Sequence, residues 1–428
     1  MRRPPPAWAT IPTLPVRAPL VRSVVLEALG AVFERRREAD RALDAALRRH
    51  RDLDPAERAA VARRVLGIAC SRGRLEFLLD RACPSWRADP APHLIAAYVF
   101  DQEEAALAQA ADASGLALAA LSRLAAPTEW PTDPVERLAA TRSLPRWLAQ
   151  RWLDELGDAA DALAQACNRP GPVVLRTNAL KTDREGLRRT LALEKIDCEP
   201  TARSPWGLVV QGRANLFGSS AWRQGLFEVQ DEGSQLVALA VGARPGERVV
   251  DACAGAGGKA LALAAAMEDR GEILALDVDP MRLVNLAARV RRAGATVIRA
   301  LRVEPAGPYR EDLGLADRVL VDAPCSSLGT LRRSPDHRWR VQPDEIALFA
   351  KAQVQILERA SGLLRPGGLL VYATCTVTRE ENEAVAQAFA GKHPRWQRTP
   401  VGGADPLRLW PHVHGTDGFF ACGWTQPA

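Results

Sequence analysis

Two cysteines of this chain stand where thiol chemistry is possible. Cys325 lies in Asp322-Ala323-Pro324-Cys325-Ser326 and Cys375 in Ala373-Thr374-Cys375, 50 residues apart. Each follows an apolar run that reads as a β-strand, DRVLV before the first and GLLVYAT before the second. In open α/β sheets the ligand cleft lies beyond the carboxyl ends of the strands, so both thiols and Asp322 are expected to face one pocket. A thiolate is a good nucleophile at modest basicity. The other six cysteines (Cys70, Cys83, Cys167, Cys198, Cys253, Cys422) are scattered and form no C-x-x-C pair. That argues against a disulfide framework and a zinc site, and they read as small buried apolar residues.

A second constellation lies upstream. In RVVDACAGAGGKALALAAAM (248–267) a strand runs into a glycine-rich turn and then a helix, which presents backbone N–H groups to a ligand. Gly255, Gly257 and Gly258 permit close backbone approach. The string Gly255-Ala256-Gly257-Gly258-Lys259-Ala260 fits G-x-G-x-x-A, and Asp277 follows Gly258 by 19 residues at the end of the run EILAL. A carboxylate there can accept from ribose hydroxyls. This spacing suits a nicotinamide dinucleotide and S-adenosylmethionine equally, so an oxidoreductase stays open at this point.

The cysteines discriminate, because hydride transfer has no use for them. Carbon 5 of cytosine is a poor nucleophile until a group adds to carbon 6, and a thiolate suits that addition. The enamine-like ring then attacks a methyl sulfonium, carbon 5 loses its proton, and the cysteine is eliminated with help from a second thiol or base. Asp322 can hydrogen-bond the amino group and protonated ring nitrogen as charge builds in the ring.

These groups need a scaffold, and 428 residues suffice for two or three domains. From Leu20 to Phe33 apolar residues recur every three or four positions, which predicts a helix. Asp54-Pro55-Ala56-Glu57 predicts a capping box for the next. Alanine-dense helices continue to about Leu163, separated by Asp89-Pro90, Ala126-Pro127 and the prolines from Pro131 to Pro134. After Asn168-Arg169-Pro170-Gly171-Pro172 come short β-like runs, Val173–Thr177 and Leu208–Val210, around an amphipathic helix near 183–193. From Arg248 strands alternate with helices, predicting a parallel sheet covered on both faces. The expected division is 1–165, 166–235 and 236–428.

The chain carries a formal charge of +6, and only Lys181, Lys195, Lys259, Lys351 and Lys392 among its basic residues are lysine. Arginine's planar fork suits phosphate, which points towards a nucleic acid. The runs Arg332-Arg333 and Arg338-Trp339-Arg340 are expected to contact phosphate and stack on an unpaired base. His412 and His414, without a third ligand, are expected on a strand or loop near the RNA rather than on a metal. No stretch is long and apolar enough for a membrane span, and MRRPPPAWATIPTLP lacks the apolar core of a secretory leader, so a cytoplasmic protein is expected.

Through DACAGAGGKA, VDAPCSSLGTLRRSPD, YATCTVTREENE and PHVHGTDGFF the chain resembles the RsmB/NOP family of RNA cytosine-C5 methyltransferases over about residues 170–428. The resemblance implies a C-terminal α/β, Rossmann-like class I domain using S-adenosylmethionine. It makes Cys375 the attacking thiol and Cys325 the aid to product release. It also places Ala254, Gly255, Ala256, Gly257, Gly258, Lys259, Ala260, Asp277 and Asp322 around the cofactor. Where the family commonly shows Ala-Ala-Pro-Gly-Gly-Lys-Thr this turn reads Ala-Gly-Ala-Gly-Gly-Lys-Ala. Where the family has an Asp after the third strand, this chain offers Glu304 in Val303-Glu304-Pro305. The helical region, through AVARRVLGIACSRGRLEFLL (60–79), resembles the all-α NusB-like RNA-binding domain of the RsmB branch. The implied partner is RNA, 16S rRNA or a small-subunit assembly intermediate, bound by a monomer without metal. A non-catalytic RNA-binding assembly factor and, behind it, a nicotinamide-dependent oxidoreductase are the alternatives.

Overall fold

The computed structural model describes residues 17–309 and 311–427. The reading of the first fifteen residues as free of a leader falls outside them. The chain divides into two compact units, one formed by residues 1–170 with 331–343, the other by 171–330 with 344–428.

The first unit is helical: α1 (Ala18–Phe33), α2 (Ala39–Arg49), α3 (Pro55–Ala82), α4 (Pro90–Asp101), α5 (Leu107–Ser114), α6 (Leu118–Leu121), α7 (Pro134–Arg142), α8 (Arg146–Leu156) and α9 (Ala159–Cys167). Its core joins Val21, Val24 and Val25 of α1 to Val61, Val65 and Ile68 of α3 and Leu94 and Ile95 of α4. The α3 capping box forms as its sequence dictates. Glu57 N donates to Asp54 Oδ1 (2.8 Å) and Asp54 N to Glu57 Oε2 (3.0 Å).

The second unit begins with β1 (Val174–Thr177), α10 (Arg184–Leu193), β2 (Cys198–Pro200), β3 (Gly207–Val210), α11 (Ser220–Arg223) and β4 (Phe227–Val229). These strands make an antiparallel sheet, β2-β3-β1-β4, packed around Leu175, Leu187, Leu191, Leu208 and Phe227. The expected 166–235 segment therefore has its own sheet but belongs to the same unit as the larger one. That sheet follows through α12 (Glu232–Ala240), β5 (Arg248–Asp251), α13 (Gly258–Ala266), β6 (Glu272–Asp277), α14 (Pro280–Ala293), β7 (Ile298–Arg302) and β8 (Ala316–Asp322). After α15 (His337–Arg340), which is part of the helical unit, come α16 (Pro343–Ser361), β9 (Leu364–Thr374), α17 (Glu383–Lys392), β10 (Gln397–Thr399), β11 (Leu407–Leu409), α18 (Pro411–His414) and β12 (Phe419–Thr425). The order is β10-β12-β9-β8-β5-β6-β7, with β11 beside β12. Strands β5 to β9 are parallel, and β12 enters antiparallel to β9. Strand order reverses between β5 and β8, and such a switch point opens a crevice at the carboxyl ends.

The segment 331–343 corrects two expectations. It packs in the helical unit rather than with the rest of 236–428, and much of it is interior. Arg338 is fully buried: Nε donates to Pro335 O, Nη1 to Ser143 O (3.2 Å) and Asn168 Oδ1 (2.6 Å), and Nη2 to Cys167 O. Trp339 Nε1 donates to Ala69 O (3.0 Å), and a Cβ at position 73 would come within 2.8 Å of the indole, so Gly73 makes room for it. A guanidinium that spends its donors on carbonyls of its own unit is a scaffold group. Arg338 is therefore not a surface for phosphate, and the Trp339 N–H is spent on Ala69 O.

Candidate active site

The site grows from the ends of β5, β6, β8 and β9. After β5 the turn reaches left-handed backbone at Gly255 (φ 56°) and Gly257 (φ 82°). A side chain at Gly257 would collide with Leu286 at 2.7 Å, so glycine is required twice over, by conformation and by space. The carbonyls of Ala256 and Gly258 accept from Arg289 Nη1 (2.9 Å) and Arg176 Nη1. Asp277, at the end of β6, holds the turn directly: Gly255 N donates to Oδ2 and Asp279 N to Oδ1, both 2.8 Å. An ionised carboxylate accepts about four hydrogen bonds, so Asp277 retains capacity for ligand hydroxyls.

A cavity of about 490 Å³ opens over this turn, within the range of small-molecule sites. Of the sequence-predicted residues, Ala254, Gly255, Ala256, Gly258, Lys259, Asp277 and Asp322 line it. Gly257 and Ala260 sit behind the lining, the latter fully buried. Glu304 has an exposed side chain, and its neighbours Val303 and Pro305 are the ones that reach the cavity. Sequence reasoning missed Tyr309 and Arg359, whose guanidinium lies 3.7 Å from the Tyr309 ring and donates to Glu304 O (2.6 Å). Neither carries a local motif. It also passed over Asp251, the acid that ends β5. Burial, then the charge of Asp322, pushes this carboxyl up to about 7.

Lys259 Nζ donates to Asp322 Oδ2 at 2.5 Å, with 10% and 26% of the two side chains exposed. Burial works against the ammonium, but the Asp322 carboxylate outweighs it and the lysine pKa ends above its usual value. Beside this pair the two thiols meet. Cys325 Sγ lies 3.4 Å from Cys375 Sγ, and Cys375 Sγ lies 3.5 Å from Ser327 Oγ. Both cysteines are reduced and half-buried. The hydrogen bond from Cys325 holds the Cys375 thiol below its ordinary pKa, against desolvation and aided by Ser327, while the same bond together with burial raises Cys325. Ser327 adopts a left-handed backbone (φ 55°), a locally strained turn beside the thiols. Gly329 N donates to Cys375 O (3.0 Å) and Gly418 N to Gly329 O (2.8 Å), stitching the loops together.

The expected strand or loop at His412 and His414 is instead the short helix α18, started by Pro411 and ended by left-handed Gly415. His414 Nδ1 accepts from Trp410 N (2.8 Å). Among the described residues no group of three or more His, Cys, Asp or Glu is placed to hold a metal ion, and no helix is long and apolar enough to cross a membrane.

A parallel sheet with an antiparallel β12, and a glycine turn and strand-end acid around its switch-point cavity, define an S-adenosylmethionine-dependent methyltransferase. Residues 238–424 match the family described as 16S rRNA methyltransferase RsmB/F, and residues 144–216 match the ferredoxin-like domain of RsmF/B-like methyltransferases. The chain is 35% identical over 305 residues to the probable ribosomal RNA small subunit methyltransferase B of Bacillus subtilis, covering 68% of each protein. It is 34% identical over 314 residues to the ribosomal RNA small subunit methyltransferase B of Thermus thermophilus, covering 72% of this chain and 69% of that one. A crystal structure of a methyltransferase homologue from Pyrococcus horikoshii superposes with a TM-score of 0.61 at 27% identity, over 69% of this chain and all of that one. The chain belongs to the RsmB/F family of methyltransferases, and its cofactor is S-adenosylmethionine, which closes the nicotinamide alternative.

Proposed function

We propose that this protein methylates carbon 5 of a cytosine in 16S rRNA through a covalent adduct with Cys375. The observation that carries the reading is the meeting of two thiols at 3.4 Å beside the Lys259–Asp322 pair. Relatives named for small-subunit rRNA support the substrate class. Ala254, Gly255, Ala256, Gly258 and Lys259 of the turn, with Asp277, would hold S-adenosylmethionine, which would supply the electrophilic methyl group. Glu304, given its exposed side chain, is left out of that set.

Of the two thiols Cys375 has the lowered pKa and Cys325 the raised one, which makes Cys375 the one that gives up its proton to become the nucleophile. Cys375 adds to carbon 6, forming a carbon–sulfur bond and moving electron density towards carbon 5 and the ring nitrogen. Asp322, held by Lys259, hydrogen-bonds the ring edge as that density builds. After carbon 5 is methylated its proton must leave. Once Cys375 is bound to carbon 6 it no longer holds charge against Cys325, which loses its proton to solvent and then takes the carbon 5 proton; the C5–H electron pair re-forms the C5–C6 double bond and Cys375 leaves as a thiolate. A base in a duplex must first be swung out. The helical unit acts as a NusB-like RNA-binding domain, and the protein works as a cytoplasmic monomer.

The test is transfer of labelled methyl from S-adenosylmethionine to total RNA of a deletion strain, followed by nucleoside analysis. Labelled 5-methylcytidine at one 16S position is expected. S-adenosylmethionine binding without transfer to that RNA or to assembly intermediates would favour a non-catalytic assembly factor.

A further inference from the structure

Behind the cysteines lies a carboxylate that this chemistry does not use. Glu381 is fully buried, and each of its oxygens takes two donors. Oε1 accepts from Ser326 N (2.8 Å) and Gln353 Nε2 (3.0 Å). Oε2 accepts from Ser326 Oγ (2.5 Å) and Thr378 Oγ1 (2.9 Å). Gln353 Nε2 also reaches Pro324 O (2.9 Å), and Ser326 Oγ lies 2.8 Å from Thr376 Oγ1. Pro324 and Ser326 flank Cys325, and Thr376 follows Cys375. Every one of these four donors is neutral. A buried carboxylate whose acceptor capacity is filled by neutral dipoles has none left for a ligand, and it fixes whatever supplies those dipoles.

We propose that Glu381 is a positioning residue for the two-cysteine site: through Ser326 it ties the turn carrying Cys325 to the chain that follows Cys375, and so sets the approach of the two sulfurs. The assignment rests on the reading of the pair as the reacting centre. Without the tether the Cys325 turn is free to draw back, Cys375 loses the S–H that stabilises its thiolate, and the group that accepts the carbon 5 proton is displaced. Glutamine at 381 keeps an oxygen for Ser326 N, and the hydroxyls of Ser326 and Thr378 can turn to accept from its amide. Glu381→Gln therefore preserves the tether without the charge, whereas Glu381→Ala removes it.

The experiment uses the full chain with iodoacetamide as probe. The alkylation of Cys375 is followed against pH by peptide mass, alongside methyl transfer to RNA, melting temperature and S-adenosylmethionine binding. In Glu381→Ala the Cys375 profile moves to higher pH, and turnover falls on the order of 10²-fold, as for a reacting group misplaced by about 1 Å. In Glu381→Gln both stay near native. A folded, cofactor-binding Glu381→Ala protein with the native Cys375 profile and turnover overturns the proposal. Should that variant not fold, Ser326→Ala removes the hydroxyl half of the tether and keeps the bond from Ser326 N to Oε1, so a smaller shift in the same direction is expected, and an unmoved profile overturns the proposal. A native protein that never methylates cytosine, but whose Cys375 profile still shifts in Glu381→Ala, defeats the catalytic reading and leaves the positioning role standing.

Discussion

Lys259 and Arg338 are buried cations, one in each unit, and their surroundings differ in kind. Arg338 donates to four oxygens of its own unit, all neutral. Lys259 donates to Asp322, an acid with a quarter of its side chain open at a cavity. The first is a charge whose donors are consumed by the fold, so it fixes where chain segments lie. The second is a charge pair with hydrogen-bonding capacity left over, so it can act on a ligand. Burial alone does not mark a functional group. Unspent capacity facing a cavity does.

That contrast can be broken by substitution. Lys259→Met should lower methyl transfer by on the order of 10²–10³-fold, the usual loss of one preorganised electrostatic group, with little change in melting temperature. Arg338→Ala should do the reverse. It should destabilise the helical unit by about 2–5 kcal/mol in denaturant unfolding, like other large buried side chains cut to alanine, while turnover per folded molecule is retained. If Arg338→Ala instead leaves stability intact and weakens RNA binding, the segment is a phosphate contact after all and the contrast collapses.

A further test concerns Asp251. Its carboxyl is pushed up to about 7 in the folded chain from an ordinary 3.8, first by burial and then by Asp322. A raised acid contributes stability that is complete below about 4 and lost as pH rises through 7, because only the unfolded chain ionises it freely in that window. Asp251→Asn should flatten that part of the stability–pH curve. A native slope in the variant would remove Asp251 from the account.

Local rules carried much of this in the sequence. The Asp54–Glu57 box, the strands that became β5, β6, β8 and β9, and the glycine turn each depend on neighbours within a few residues. The joint placement of Cys325 and Cys375 followed from strand ends alone, since a parallel sheet brings such ends together. What escaped was non-local. Arg338 reads as one of a basic run, and the oxygens that bury it, at Ser143, Cys167 and Asn168, are 170 to 195 residues away. Glu381 sits in a polar stretch, TREENE, whose charges look solvated until Ser326 is folded against it. Val303-Glu304-Pro305 offered an acid at a plausible place, but the backbone turned its neighbours inward instead. The two histidines near 412 were taken by a proline-started helix that no periodicity announces.

The central claim is that Cys375 forms the bond to the base and Cys325 serves its release. Its most direct test is a denaturing gel of Cys325→Ala and Cys375→Ala proteins incubated with substrate RNA and S-adenosylmethionine. A slow-migrating covalent protein–RNA species with Cys325→Ala, and none with Cys375→Ala, is the predicted result. A trapped adduct in Cys375→Ala instead would contradict the assignment and exchange the roles of the two thiols.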